Sequence, residues 1–450
     1  MKSQVDMDLI GGGVAANDAG NTEASAESAG KARLRKPNRR QVELCPVDLE
    51  STLPEDHHAR VVWAFVEQLD LMELYEGIGS VEGGPGRPAT DPRVFMTLWL
   101  FATLEGVGSA RAVARLCKRD DAYRWICGGV PVNHHTLADF RVAHEEVLDR
   151  LLTESAAALM AEGLVELRRV AQDGVRVRAS AGAASFRRER TLEACYGEAQ
   201  EQVEALKKEV NEDPGASDRR IESARRRAAE ERKERVEAAL KQLTEVKAKK
   251  KKEADREKAR VSTTDPEVRV MKMADGGFRP AFNAQFATDT QTQVIVGVDI
   301  SNSGSDQGKM TPMLAQIKDR YDRKPDEFLV DGGFAGHVEI EKATDAGVRV
   351  YAPVMKPKGE ARDVHEPRAT DSKAIADWRR RMGTEEAKEI YKERAATAEC
   401  VNALARNRGL RQFLVRGLQK AKAIVLWHAL AHNLMRAFSL RGARAACAAA

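Results

Sequence analysis

A short apolar run that ends in an aspartate and two glycines, FLVDGGFAG at residues 328–336, constrains the fold of this chain most strongly. Its first residues have the composition of a buried strand, and the two residues that follow Asp331 are glycines without side chains. A second Asp-Gly pair, at Asp173, lies in the alternating segment LRRVAQDGVRVRASAG. Carboxylates at the ends of neighbouring strands converge, because paired strands lie only about 4.8 Å apart. The two segments therefore predict one sheet that brings Asp173 and Asp331 together.

Two carboxylates this close repel each other, and the arrangement is tolerated mainly when a cation lies between them. Mg²⁺ suits this arrangement, because it prefers oxygen ligands and is commonly shared between carboxylates and substrate phosphates. On this interpretation the glycines let a phosphate backbone approach a metal ion held by Asp331. A single Asp-Gly pair is more often a simple turn, and the metal site needs a third ligand.

The segments around these aspartates predict a mixed α/β sheet with helices packed across it. A charged segment at about residues 186–260 interrupts the strands and carries few apolar residues. Its apolar spacing predicts two antiparallel helices joined by the turn EDPGASD. The basic run KAKKKKE at 247–253 ends the segment and indicates either a solvated face or a flank that lies along a phosphate backbone.

The remaining chain divides by composition. Residues 1–40 predict a disordered tail and a short basic arm, and residues 41–165 have helical periodicity throughout. Within this second region, NHHTLADFR at 133–141 suggests a helix-turn-helix, so we expect DNA binding there. Residues 166–440 form the predicted sheet domain with its insert, and 441–450 an Ala-rich tail.

Composition narrows the functional class. The net charge is only +4, but the 73 Lys and Arg residues are unevenly placed, which permits a local nucleic-acid surface. The six cysteines include no C-x-x-C pair, and no apolar run reaches about 18 residues. The nine histidines have no obvious acidic partner, which leaves no Ser-His-Asp or Cys-His set. We therefore expect a cytoplasmic protein with no membrane partner.

At this point the sequence resembles a known family. The segments around Asp173 and Asp331, with YKERAATAECVNALARNRGL from Tyr391, are similar to the three catalytic boxes of bacterial insertion-sequence transposases of the DDE class. RPATDPRVFMTLWLFATLEGVGSARAVARLC, HHTLADFR and GSDQGKMTPML also resemble segments of these transposases. The resemblance covers about residues 40–440 and implies an RNase H-like catalytic domain, interrupted by the helical-hairpin insert and preceded by an all-α N-terminal domain.

The resemblance also implies a set of site residues. Asp173, Asp331 and Glu399 would be the catalytic acids and metal ligands, with Mg²⁺ or Mn²⁺, two ions in all. Tyr391, Arg394, Arg406 and Arg141 would contact DNA. Four residues separate Arg394 from Glu399 where many relatives have three, and Glu393 competes for the acidic role. On a regular α-helix Arg394 and Glu399 would not share a face, whereas Arg406 would lie two turns beyond Glu399 on the same face.

The implied function is divalent-metal-dependent cleavage and strand transfer at the ends of an insertion sequence. Its partners would be double-stranded DNA, as terminal inverted repeats and target, and further copies of the chain, with the protein on the nucleoid when bound. Two alternatives remain open: an RNase H-like metal-dependent nuclease that does not join ends, and an inactive DNA-binding copy of a transposase.

Overall fold

The computed structural model describes residues 40, 46, 48–80, 83, 85, 87–212, 219–356 and 362–449. The predicted tail and basic arm thus lie outside the described residues, apart from Arg40. Residues 213–218 of the predicted turn EDPGASD lie outside them as well, and its first residue, Glu212, ends a helix. The described residues from Asp48 onward pack as one unit.

The first part of this unit is all helical, as predicted. Its helices are α1 (His58–Glu67), α2 (Met72–Glu76), α3 (Pro92–Leu104), α4 (Ala110–Leu116), α5 (Asp121–Cys127), α6 (His134–Ala143) and α7 (Glu145–Ala161). α3 begins at Pro92, because Asp91 caps it by accepting from the Arg93 N–H and proline suits the first helical position. Nearly every residue of α3 is buried, so this helix forms the centre of the helical part.

A mixed six-stranded sheet follows. Its strands are β1 (Arg169–Arg178), β4 (Arg269–Lys272), β5 (Phe278–Asp289), β6 (Ile295–Ser301), β7 (Glu327–Leu329) and β8 (Arg349–Tyr351). β1 is central: it pairs antiparallel with β5 on one edge and parallel with β7 on the other, and β8 continues parallel beyond β7. The second edge of β5 is shared by β4 and β6. The mixed α/β class with an RNase H-like sheet, predicted above, is confirmed.

The insert leaves the sheet after β1. It consists of the short strand β2 (Phe186–Arg187), the long helices α8 (Glu189–Glu212) and α9 (Arg219–Ala248), the short helix α10 (Glu253–Glu257) and the strand β3 (Val261–Ser262). α8 and α9 pack on each other as a hairpin, as predicted. The pairing of β2 with β3 at the base of the hairpin is not apparent in the sequence. It brings the two ends of the insert together.

The other helices cover the sheet and close the chain. They are α11 (Met310–Tyr321), α12 (His337–Asp345), α13 (Lys373–Met382), α14 (Glu385–Arg394), α15 (Cys400–Asn407) and α16 (Leu418–Ala449), with a π-helical turn at Ala395–Glu399 between α14 and α15. α16 packs on α3, α6 and α7 and also on β6, so one hydrophobic core joins the helical part to the sheet. The predicted Ala-rich tail is the end of this helix. Among the described residues no helix combines the length and apolarity needed to cross a bilayer.

Candidate catalytic site

The register of the sheet brings Asp173 and Asp331 together. β1 and β7 pair in parallel up to the match of Ala171 with Leu329, and each aspartate lies two residues further along its own chain. The expected convergence is therefore present. The expectation that both aspartates end their strands is wrong for Asp173, because β1 continues to Arg178 in its pairing with β5. Asp331 does follow the end of β7.

Asp173 is held in place by two donors. The N–H of Gly174 donates to Oδ1 at 2.9 Å, and the amide of Asn402 on α15 donates to Oδ2 at 3.0 Å. Burial raises the pKa of Asp173, and the nearby charges of Asp331 and Asp306 act in the same direction, whereas Arg394 and the Gly174 N–H oppose them. Asp331 accepts from the Gly333 N–H at 2.7 Å and is more exposed. The site thus pairs a partly buried carboxylate, that of Asp173, with the more accessible carboxylate of Asp331.

The guanidinium of Arg394 lies between all three predicted acids. Its Nη2 is 3.2 Å from Asp173 Oδ1 and 3.9 Å from Asp331 Oδ2, and its Nη1 is 3.4 Å from Glu399 Oε1. The Arg394 side chain is only 11% exposed, whereas that of Glu399 is 61% exposed. Arg394 therefore neutralises a cluster of carboxylates in the position where the sequence predicts a cation.

A π-helical turn places Glu399 in this cluster. The turn spans Ala395–Glu399, inside an otherwise α-helical stretch. Because a π-helix bonds residue i to residue i+5, residues five apart lie one turn apart, and such turns often occur at functional sites. The π-helical turn accommodates the fourth residue between Arg394 and Glu399, where many relatives have three. The expectation that the two side chains would face apart, which assumed an α-helical period, is wrong.

Glu393, the competing acid, lies in a different network. It pairs with Arg169 of β1, whose Nε donates to the buried Glu327 of β7 at 2.6 Å. This ion pair ties α14 to the sheet behind the acids. Of the two glutamates, Glu399 is therefore the one whose carboxylate is grouped with Asp173 and Asp331.

Tyr391 and Arg406 flank the cluster. Tyr391 is half-buried one turn before Arg394, close enough for all three acids to influence its phenol, and burial raises its pKa. Arg406 is exposed near the end of α15 and lines a cleft that also contains Asp173. Both residues therefore lie beside the carboxylate cluster.

A second polar cluster, which the sequence does not single out, lies against Gly174. Asp306, within the GSDQGKMTPML segment, accepts from Asn283 Nδ2 at 2.7 Å and from Gln285 Nε2 at 2.8 Å. A Cβ on Gly174 would overlap Gln285 Nε2 and lie 2.7 Å from both Asn283 Oδ1 and Asp306 Oδ1. A side chain at position 174 would therefore displace this hydrogen-bonded cluster.

Arg141 lies inside the fold. It is 7% exposed, its guanidinium stacks over the Trp99 ring at 4.3 Å from the centroid, and it donates to the carbonyl of Gly108. Burial lowers its pKa to about 10. The expected DNA contact by Arg141 is therefore not available in this conformation, because the buried guanidinium is engaged by Trp99 and Gly108.

The donor set fits a hard divalent cation in its chemistry. Asp173, Asp331 and Glu399 offer carboxylate oxygens alone, which Mg²⁺ and Mn²⁺ prefer. Over the described ranges no three acidic, His or Cys side chains lie close enough together to hold a metal ion as they stand. Arg394 occupies the intervening space, so metal binding requires its guanidinium to move.

Comparison with known proteins matches two regions of the chain to family models. Residues 47–143 match the family described as Transposase domain (DUF772), and residues 243–434 match the family described as Transposase DDE domain. The second match contains Asp331, Arg394 and Glu399 but not Asp173, which lies outside both regions. No curated protein and no solved structure matches the chain.

Proposed function

We propose that this chain is a DDE transposase of the insertion-sequence type, which cleaves DNA at the ends of an insertion sequence and joins them to a target. The two matched transposase regions support this proposal. Asp173, Asp331 and Glu399 are its catalytic acids on this proposal. The family implies DNA binding, and we further propose the joining step and the dependence on a divalent metal.

One observation carries the proposal. Asp173 lies outside the matched DDE region, yet the β1–β7 register brings it beside Asp331, and Arg394 contacts both of them together with Glu399. A chain that had lost the function would not need to keep three acids, drawn from three separate segments, around one cation. This favours an active enzyme over an inactive DNA-binding copy.

Each residue of the site has a separate task in the proposed reaction. Asn402 and the Gly174 N–H fix the orientation of the Asp173 carboxylate, and the Gly333 N–H does the same for Asp331. Arg394 balances the charge of the acids before substrate binds and is then free to pair with a DNA phosphate. Arg406 and Tyr391 contact the strand on either side.

Two Mg²⁺ or Mn²⁺ ions, held by Asp173, Asp331 and Glu399, would activate a water or 3′-hydroxyl and stabilise the leaving oxygen of an in-line phosphoryl transfer. No nucleophilic side chain is required in this chemistry.

The proposed partners are double-stranded DNA, both at the terminal repeats and at the target, and further copies of the chain, because cleavage of paired ends needs more than one active site. The protein would act in the cytoplasm, on the nucleoid when bound to DNA. The second candidate function, an RNase H-like nuclease, uses the same acids and differs only in the absence of joining.

A strand-transfer assay tests the proposal. Purified protein is incubated with Mg²⁺ or Mn²⁺ and labelled DNA carrying the sequences that flank its gene, and Asp331→Asn serves as the control. We expect metal-dependent joined products that are missing with the variant. Cleavage without joining would favour the nuclease, and binding without either reaction would contradict an active enzyme.

A further inference from the structure

An arginine-rich cleft of about 420 Å³ opens beside Asp173. Its walls come from β1, from the turn between β4 and β5, and from the end of α15 with the loop that follows. Five arginines line it: Arg176, Arg178, Arg279, Arg406 and Arg411. Of these, the resemblance to transposases pointed only to Arg406.

A chain of hydrogen bonds arranges the exposed arginines in order from the catalytic acid. Asn402, which holds Asp173, accepts at its carbonyl from Arg406 Nε at 3.2 Å. The carbonyl of Arg406 accepts from Arg411 Nε at 3.1 Å, and the carbonyl of Arg411 accepts from the backbone N–H of Arg178 at 3.2 Å. The position of each arginine is thus tied to the position of the acid.

Three of the five guanidiniums have no counter-charge among the described residues. Arg279 pairs with Asp275 at 2.7 Å, and Arg176 faces Asp306 at 3.7 Å. Arg178, Arg406 and Arg411 make no ion pair with any residue in the described part of the chain, although all three are exposed. Arg406 and Arg411 use Nε to reach backbone carbonyls, and no contact within the described residues engages their terminal nitrogens.

We propose that this arginine cleft binds the phosphodiester backbone of the DNA strand that enters the active site, with Arg178, Arg406 and Arg411 on successive phosphates. The assignment of the strand to the active site rests on the proposed function. Guanidinium groups match phosphate in a two-pronged geometry, and unpaired charges in a row fit a repeating anion better than a single small one. The strand would then leave Asp173 along α15 towards the end of β1.

DNA binding measured without metal tests the cleft separately from the metal-dependent reaction. The double variant Arg178→Gln/Arg411→Gln is compared with wild type for affinity to a short DNA duplex in EDTA over a range of salt concentrations. Each phosphate contact contributes about 0.9 to the slope of log K against log salt for duplex DNA. We expect the slope to become shallower by about 2 in the double variant, and an unchanged slope would overturn the proposal.

A matched control removes the same charge elsewhere. Lys318 and Lys342 are exposed on α11 and α12, neither of which lines the cleft. Lys318→Gln/Lys342→Gln should keep the wild-type slope, and an equal loss in this control would show a general charge effect and contradict the cleft. Thermal unfolding of both variants establishes that they are folded.

Failure of the cleft and failure of the proposed function give different results. If wild type cleaves and joins DNA but the arginine variant keeps the wild-type salt slope, the role proposed for the cleft is wrong and the transposase function stands. If the slope changes as expected but wild type shows no metal-dependent reaction, the cleft is supported and the proposed reaction is wrong. An RNA duplex of the same sequence that competes as well as DNA, through the same arginines, would contradict the assignment to DNA.

Discussion

The guanidinium of Arg394 and the carboxylate of Glu399 lie on one face of the helical segment, 3.4 Å apart, although four residues separate them in the chain. The π-helical turn at Ala395–Glu399 makes this possible. The same turn leaves Glu393 on another side, bound to Arg169. Two glutamates six residues apart therefore face different surroundings.

These surroundings predict different effects of the same substitution. Glu399→Gln should reduce DNA cleavage by at least about 100-fold, since loss of even an outer-shell partner of a metal site costs about 10- to 100-fold. Glu393→Gln removes an equal charge from a partly exposed ion pair and should change the rate by less than about 10-fold. Single-turnover cleavage with Mn²⁺ measures both, and a larger loss in the Glu393 variant would reverse the assignment of the third acid.

Removal of Arg394 should make stability depend on metal. Arg394→Gln leaves Asp173, Asp331 and Glu399 without their shared cation, and we expect the free energy of unfolding in EDTA to fall by roughly 1–3 kcal/mol. Saturating Mn²⁺ should restore more stability to this variant than to wild type, because the ion no longer competes with the guanidinium. Urea unfolding with and without Mn²⁺ measures this.

Arg380→Gln provides the control for that experiment, because Arg380 forms an exposed pair with Asp377 on α13. Its stability should change little and should respond to Mn²⁺ as wild type does. An identical metal response in the Arg394 variant and in wild type would mean that the guanidinium and the ion do not share a site.

Gly174→Ala should destabilise the protein by about 1–3 kcal/mol, the usual cost of forcing an extra methyl group into a packed region. The new Cβ would overlap Gln285 Nε2 and press on Asn283 and Asp306. Gly182→Ala is the matched control, since nothing lies within 4 Å of a Cβ there, and it should change stability by no more than about 0.5 kcal/mol. Equal melting temperatures for the two variants would contradict the packing role of Gly174.

Two buried histidines on α16 should make the protein less stable in mild acid. Burial lowers the pKa of His428 to about 3 and that of His432 to about 4, both from 6.5. Below pH 6.5 the unfolded chain takes up protons on both side chains while the folded protein does not, so stability falls as the pH drops towards 4. The expected loss is roughly 1–3 kcal/mol per pH unit within this window.

His428→Leu isolates the contribution of one histidine. His428 Nδ1 has no hydrogen-bond partner among the described residues, so leucine removes the titrating group without breaking a bond to that atom. The difference in unfolding free energy between pH 7 and pH 5 should be smaller than in wild type by the contribution of one titrating side chain. Because the carboxylates are common to both proteins, an unchanged pH dependence would show that His428 is already charged in the folded state.

The sequence was sufficient for the parts of the site that depend on local pattern. The apolar run before Asp331 and the alternation around Asp173 predicted two strands, and neighbouring strands necessarily bring their carboxylates together. It was not sufficient for Arg394 and Glu399, because the prediction used an α-helical period where the chain forms a π-turn. The contacts of Asp306 join a loop to β5 across the fold, and no local pattern encodes them.

The position of Arg141 on α6 carries a sequence signal for burial. It lies four residues after Leu137 on α6, and residues four apart share a helix face. Leu137 is fully buried, so the same face carries Arg141 into the core, where its carbonyl also accepts from the indole of Trp427 at 2.9 Å. A basic residue on the apolar stripe of a helix was thus better interpreted as part of the packing.

The base of the α8–α9 hairpin has a practical consequence for protein engineering. Because β2 pairs with β3 through Phe186–Ser262 and Arg187–Val261, the chain leaves and re-enters the catalytic fold at a single place. The entropic cost of closing a loop grows only slowly with its length, so this junction should accept a folded module of another size. Exchange of the hairpin for a domain with a chosen DNA sequence preference would make this fold a scaffold for retargeted genome insertion.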